Sequence, residues 1–360
     1  MCNNPFQPDT KNYYFSATPE ELDMPQDNLY VAGYGFAQTP LLTVERHRLR
    51  VYCNGIGAAF LGYFLLGNLL PLFLYRSVIP LLYVSGINYN QMDTLGVFEA
   101  MDLFSYVISL FLPFFLYRLF IHMPLSAAMP TRKPALSIAL PSVFVGLGAS
   151  CIGIYSSLAL SALAGLFGYQ PHSTVNVLPD APLALGIYLL RSTLMAALVE
   201  EFVFRGAILQ SLRRFGDGFA LLISSLLFAL AHGNLIQGPN AFLMGMVIGY
   251  FVIRTGSIWT GILIHFCNNL FAVLFDLLAQ NLSNWAYQAA NDVLLLVYLI
   301  LGIGALLYLI HRQNNLFTLS RQGSLLANRI KYTCALTSPM LLVSFFLFGM
   351  LTFLNMSYVG

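Results

Sequence analysis

The sequence predicts an all-α protein, a polytopic transmembrane bundle of eight or nine helices, and three observations predict it. Of its 360 residues 58% are hydrophobic and 9% charged, where a soluble domain carries about a quarter charged residues. The mean hydropathy is +0.72. Apolar runs long enough to cross a ~30 Å hydrocarbon core, which takes about 20 residues, recur along most of the chain. Seventeen bases and fifteen acids are too few to solvate a globule of this size. The bases lie at loop ends and form no basic face, so no nucleic-acid partner is expected.

Taken in order, residues 1–50 are polar, broken by Pro8, Pro19, Pro25 and Pro40, and read as a cytoplasmic tail. They lack the basic start and apolar centre of a signal peptide. Residues 51–357 form the bundle, with spans expected near 52–74, 97–118, 135–166, 182–211, 218–236, 239–256, 258–280, 290–310 and 334–357. The first extends or re-enters through 77–84, where Pro80 interrupts a second apolar stretch. With nine spans, Lys11, the Arg46/Arg48/Arg50 group, Arg118, Arg132, Lys133, Arg213, Arg214, Arg254 and the bases between 312 and 331 fall on one side. Only Arg76 falls opposite. By the positive-inside rule this is the cytoplasmic side, and the N-terminus lies with it. Cys2, Cys53, Cys151, Cys267 and Cys334 have no paired spacing and read as small apolar residues.

Ionisable groups at bilayer depth cost ~2.5–3.5 kcal/mol each on insertion scales, so they are the best functional signal here. Three clusters stand out. In LVEEFVFRG, Glu201 and Arg205 are at i and i+4 and can pair on one helix face. Glu200 lies about 100° round the helix without a local counter-ion, which suits general-base work. The bland alternative is an ion-pair lock between helices. In FALAH, Phe228 and His232 are one turn apart, and such a histidine is often a packing residue. In HFCNN, His265 and Asn269 share a face with Asn268 beside them, which is also compatible with interhelical hydrogen-bond glue. Depth links the three. At 1.5 Å per residue Glu200 is about 18 Å from its span end, His232 about 18–22 Å and His265 about 10–12 Å from theirs. Three polar clusters at mid-depth converge on one another rather than face lipid.

Together EExxxR, FxxxH and HxxxN, in that order on successive spans, resemble the signature of the CAAX-protease and bacteriocin-processing family of intramembrane proteases, which includes the type II CAAX prenyl endopeptidase. The resemblance covers residues 182–280, taken as a protease-like core. It implies an intramembrane endopeptidase acting on membrane-associated or lipidated peptides within the bilayer. It implies Glu200 as general base assisted by His232, His265 and Asn269 as oxyanion donors, and Glu201 and Arg205 as a brace, with Phe228 in support. Relatives are often classed as metalloendopeptidases. The absence of HExxH and the presence of Asn269 favour a metal-free site; were zinc bound, Glu200, His232 and His265 would be its ligands. Two other classes compete: a non-catalytic scaffold or bacteriocin-immunity protein, and a proton-coupled transporter, which needs no Asn269 and is expected to show inverted repeats that are not evident. Compact loops suggest a bacterial plasma-membrane protein. Arg191 either pairs with Asp276 near the outer face or snorkels towards the interface, the second being favoured, and Gly245 and Gly249 are expected to pack two helices closely.

Overall fold

A computed structural model of the chain describes residues 29–31, 35–37, 41–171, 177–313, 316–319 and 324–358. Most of the expected tail, with Lys11, lies outside the described residues, as do His172 and Arg321. Ten helices carry the bundle: α1 (Leu41–Val84), α2 (Val97–Phe120), α3 (Leu136–Gly165), α4 (Pro182–Arg213), α5 (Asp217–Ala231), α6 (Gly238–Thr255), α7 (Ile258–Asn281), α8 (Asn284–Arg312), α9 (Asn328–Leu336) and α10 (Pro339–Leu354). Short helical turns at Tyr89–Thr94 and Leu125–Ala128 link their neighbours. Strand β1 (Leu29–Val31) pairs antiparallel with β2 (Gly35–Ala37), and β3 (Tyr169–Pro171) with β4 (Met356–Tyr358).

The all-α membrane bundle expected from hydropathy is the fold observed. Among the described residues six helices, α1 to α4 with α7 and α8, are long and apolar enough to cross a membrane, and the pair α9–α10, bent by 66°, makes a seventh. The two remaining expected spans are helices of 15 and 18 residues. At 1.5 Å per residue α5 rises only about 23 Å, short of a full crossing. It packs against α6 as a hairpin around the turn 232–237. Helix α1 starts at Leu41, inside the stretch read as tail, and runs through Pro71 and Pro80 without the expected break. A proline in an apolar helix forfeits one backbone bond, which neighbouring helices and local adjustment make tolerable in lipid. Its 44 residues span about 66 Å, twice the hydrocarbon thickness. Part of it therefore lies outside the core of the membrane, and in its first turns Glu45 accepts hydrogen bonds from Ser324 Oγ (2.8 Å) and Leu325 N (3.0 Å).

Helix α4 is the centre of the molecule: every residue from Glu201 to Arg213 is buried. Around it, small residues set how near the other helices come. A Cβ on Gly245 would stand 3.0 Å from Ser225 Cα, and one on Gly249 would stand 2.6 Å from Leu221, so this pair seats α6 on α5. A Cβ on Gly302 of α8 would lie 2.8 Å from Gly148 Cα of α3, where backbone meets backbone. Gly304, two residues on, faces open space. Gly302→Leu is therefore expected to force α3 and α8 apart and destabilise the fold by about 1–3 kcal/mol, while Gly304→Leu leaves it unchanged. Thermal unfolding in detergent micelles checks the pair.

Candidate active site

Helix α4 departs from α geometry twice, with wide π turns at Arg191–Met195 and Glu201–Ile208. Such turns loosen the backbone ladder and recur at functional positions. Side chains take up carbonyls of the second: Ser224 Oγ donates to Phe204 O (2.7 Å) and Gln210 Nε2 to Arg205 O (3.1 Å). Glu200 closes the α turn between the two wide segments, and Glu201 opens the second.

Glu201 is fully buried, and its Oε1 accepts from Arg205 Nη1 and from His265 Nδ1, both at 2.8 Å. Two donors meet on one oxygen, part of the compensation that burial in a low dielectric demands; Oε2, like Glu200 Oε2, is buried without a hydrogen-bond partner within the protein. Its other oxygen lies where Gly261 leaves room: a Cβ there would be 2.8 Å from Glu201 Oε2. The Arg205 guanidinium lies 4.3 Å from the Phe228 ring centroid, a desolvated cation–π contact. Phe228 also meets His232 and His265 edge-on, at centroid distances of 4.9 and 5.7 Å. It is thus the packing hub on which both histidines and the arginine rest.

With Nδ1 engaged by Glu201, His265 turns Nε2 towards Glu200, 3.7 Å from Oε2. The Tyr106 hydroxyl of α2 donates to Glu200 Oε1 at 2.5 Å. Glu200 Oε2 is buried and makes no hydrogen bond within the protein, so one carboxylate oxygen is oriented and the other is available for chemistry. His232 caps α5, its Nδ1 2.7 Å from Phe228 O. A carbonyl only accepts, so Nδ1 carries a proton in this contact. Asn269 Nδ2 donates to Ser192 O in the first π turn (3.1 Å). Asn268 joins Asn269, and Ser150 Oγ of α3 donates to Asn268 Oδ1 (2.5 Å) and reaches Asn240 Oδ1 (3.2 Å).

Two cavities meet at this cluster. The larger, about 730 Å³, is lined by His232, His265, Asn268 and Asn269 together with residues of α3 and α6. The smaller, about 330 Å³, is lined by Glu200, Tyr106, Ser192, Arg191 and Asp276. Asn269 lines both. The structure thus draws Glu200, Glu201, Arg205, Phe228 and His265 into one contact network, with His232 against its hub and Asn269 between its cavities. Arg191 does not simply snorkel: two acids of α2 reach it, Glu99 at 3.2 Å and Asp102 at 3.4 Å. Sequence reasoning missed Tyr106, Ser150, Asn240 and Gly261. Only Tyr106 left a signal, as a mid-span hydroxyl that must find a partner when buried.

No group of three His, Cys, Asp or Glu side chains able to hold a metal ion occurs among the described residues. Glu200, His232 and His265 therefore do not form a ligand set in this arrangement. Two of the histidine nitrogens are already committed, to Glu201 and to Phe228 O.

Residues 182–271 match the family described as Type II CAAX prenyl endopeptidase Rce1-like. The match spans α4 to the middle of α7 and so contains every motif residue of the site. The chain is also similar to the "Membrane-embedded CAAX protease MroQ" of Staphylococcus aureus (strain USA300), 27% identical over 232 residues, which is 62% of this chain and 93% of that one. It is 25% identical over 152 residues to the "Putative membrane peptidase YdiL" of Bacillus subtilis (strain 168), covering 40% of this chain and 62% of the relative. No solved structure matches. The resemblance to CAAX-type membrane proteases drawn from three motifs is thus shared over a continuous segment, and it supports a multi-pass membrane peptidase.

Proposed function

We propose that this relative of CAAX-type membrane peptidases is an intramembrane endopeptidase that hydrolyses membrane-associated or lipidated peptides with a water activated by Glu200. The observation that carries the reading is the state of the Glu200 carboxylate: one oxygen held by Tyr106, the other buried, without a partner and facing His265 Nε2 at 3.7 Å. A water bridging that gap would be polarised by both groups. Glu200 takes its proton as the water oxygen attacks the peptide carbonyl carbon, then delivers that proton to the departing nitrogen as the C–N bond breaks. His265 is oriented for this by Glu201, which Arg205 neutralises. Asn269, at the junction of the two cavities, is the neutral donor for the oxyanion. His232 lines the larger cavity, which takes the peptide, and the smaller, polar cavity supplies water. No step requires a metal.

The distribution of bases supports an N-terminus on the cytoplasmic side, and bacterial relatives support a plasma-membrane location. Residues 182–280 act as the catalytic core and the remaining helices as its support.

Internally quenched peptides with and without C-terminal prenyl groups, offered to the protein in liposomes and followed by mass spectrometry, test the proposal. Wild-type protein is expected to cut in the presence of a chelator, and His265→Ala to lose that cleavage. Cleavage that persists in His265→Ala, or that needs zinc restored after chelation, would sink it. Tyr106→Phe removes a hydrogen bond to a charged group, an interaction of about 1.5–3 kcal/mol. It is expected to lower kcat roughly tenfold or more with KM unchanged, measured on the best of these peptides.

A further inference from the structure

The first span, α1, is rich in small side chains between residues 55 and 62, where Gly55, Gly57, Ala58, Ala59 and Gly62 fall. Three of them set how near other helices come. A Cβ on Gly57 would stand 2.3 Å from Leu341 N, so the backbone of α10 rests on α1 there. A Cβ on Gly55 would stand 2.8 Å from the Tyr117 ring, and one on Gly62 3.2 Å from Pro113, so α2 follows α1 closely along a second line. Ala58 lies between Gly55 and Gly62 yet is exposed. A groove of about 640 Å³ opens over it, walled by Gly55, Ala58 and Gly62 on one side and by Leu112, Leu116 and Phe120 on the other. None of the residues that line it lines either cavity of the candidate active site.

The groove is apolar, and its polar side chains are engaged within the protein. Asn54 Oδ1 accepts from Met340 N (3.1 Å), and the Tyr117 hydroxyl donates to Ser211 Oγ (2.9 Å). A void along such walls forfeits dispersion contacts, so hydrocarbon fills it in a bilayer. Length selects the filler. From Gly55 to Leu66 α1 rises about 16 Å, close to the ~15 Å of hydrocarbon in one leaflet. Charge selects the headgroup. Arg50 and His47 precede Asn54 by one and two helical turns, on the same side of α1, and both are exposed. The acid nearest to them in sequence, Glu45, is taken up by Ser324 and Leu325. The mouth of the groove is therefore positive, and basic side chains at a membrane surface attract anionic lipid.

We propose that the groove between α1 and α2 binds one acyl chain of an anionic phospholipid of the surrounding bilayer, with the headgroup held at Arg50. The site is separate from the cluster around Glu200 and does not depend on the peptidase reading.

Native mass spectrometry tests it on the full chain, stripped of lipid in detergent and titrated with phosphatidylglycerol or phosphatidylcholine. Wild-type protein is expected to bind one phosphatidylglycerol about fivefold more tightly than phosphatidylcholine, the ratio that one base near the surface supports. Ala58→Leu fills the groove from an exposed position. It is expected to weaken both lipids at least tenfold while the unfolding temperature of the lipid-free protein stays unchanged. Arg50→Gln is expected to bring the two lipids to equal affinity with phosphatidylcholine binding kept, and this decides the case even if Ala58→Leu fails to fold. Gly304→Leu, which faces open space on α8, is expected to bind as wild type does. Equal affinity in the wild type, a preference that survives Arg50→Gln, or binding that survives Ala58→Leu would overturn the proposal. So would an equal loss in Gly304→Leu, the mark of a general lipid annulus. A two-chain complex abolished by Ala58→Leu would also overturn it, by assigning the groove to a second copy of the chain.

Discussion

Glu200→Gln is expected to lower kcat by about 10²–10⁴-fold, the range by which a positioned general base accelerates proton transfer. The substitution isolates that function. Glutamine keeps the length of the side chain and an oxygen that can still accept from Tyr106, so the bond to α2 survives. What disappears is the atom that takes a proton from water. Single-turnover cleavage of a quenched peptide, with KM and the unfolding temperature measured on the same preparation, checks the result. A variant that folds normally and keeps kcat within threefold of wild type would show that the base lies elsewhere.

The second large effect is on stability. Arg205→Met is expected to cost about 3–5 kcal/mol, because removing one partner of a buried ion pair strands the other charge. Glu201 has no exposed surface, and Arg205 has 1%. The loss extends further than the pair, since the guanidinium also covers the face of Phe228 and the shared oxygen of Glu201 holds His265. Unfolding temperature in detergent is the measurement. Pairing Arg205→Met with Glu201→Gln is expected to recover much of the stability without restoring hydrolysis, because a neutral amide can be buried but no longer orients His265 as a carboxylate does.

Much of this was legible in the sequence, for a physical reason. In lipid a charge is conspicuous, so Glu200, Glu201, Arg205, His232 and His265 stand out from apolar surroundings. The i, i+4 spacing of Glu201 and Arg205 is a contact that one helix makes with itself. The fold class was readable for the same reason, since apolar runs of spanning length admit few other solutions. The rest depends on how helices meet. Tyr106 is one tyrosine among twenty, and nothing local ties it to a glutamate 94 residues away. The π turns of α4 leave no mark that propensity can read, yet they set the direction of Glu200. His265 shares a helix face with Asn269, but the observed contact is with Glu201 of α4, a pairing invisible to periodicity along α7. The hairpin of α5 and α6 was read as two full spans because both segments are apolar, although α5 is too short to cross.

Residues 355–358 meet the rim of the larger cavity. Asn355 Nδ2 donates to Gly233 O (2.8 Å), next to His232, and β4 pairs with β3, whose Gln170 and Pro171 line the cavity wall. The rim of that cavity is thus fastened by residues far along the chain from the ion-pair network of Glu201, Arg205 and His265, so Asn355→Ala is expected to alter the rim and leave that network intact.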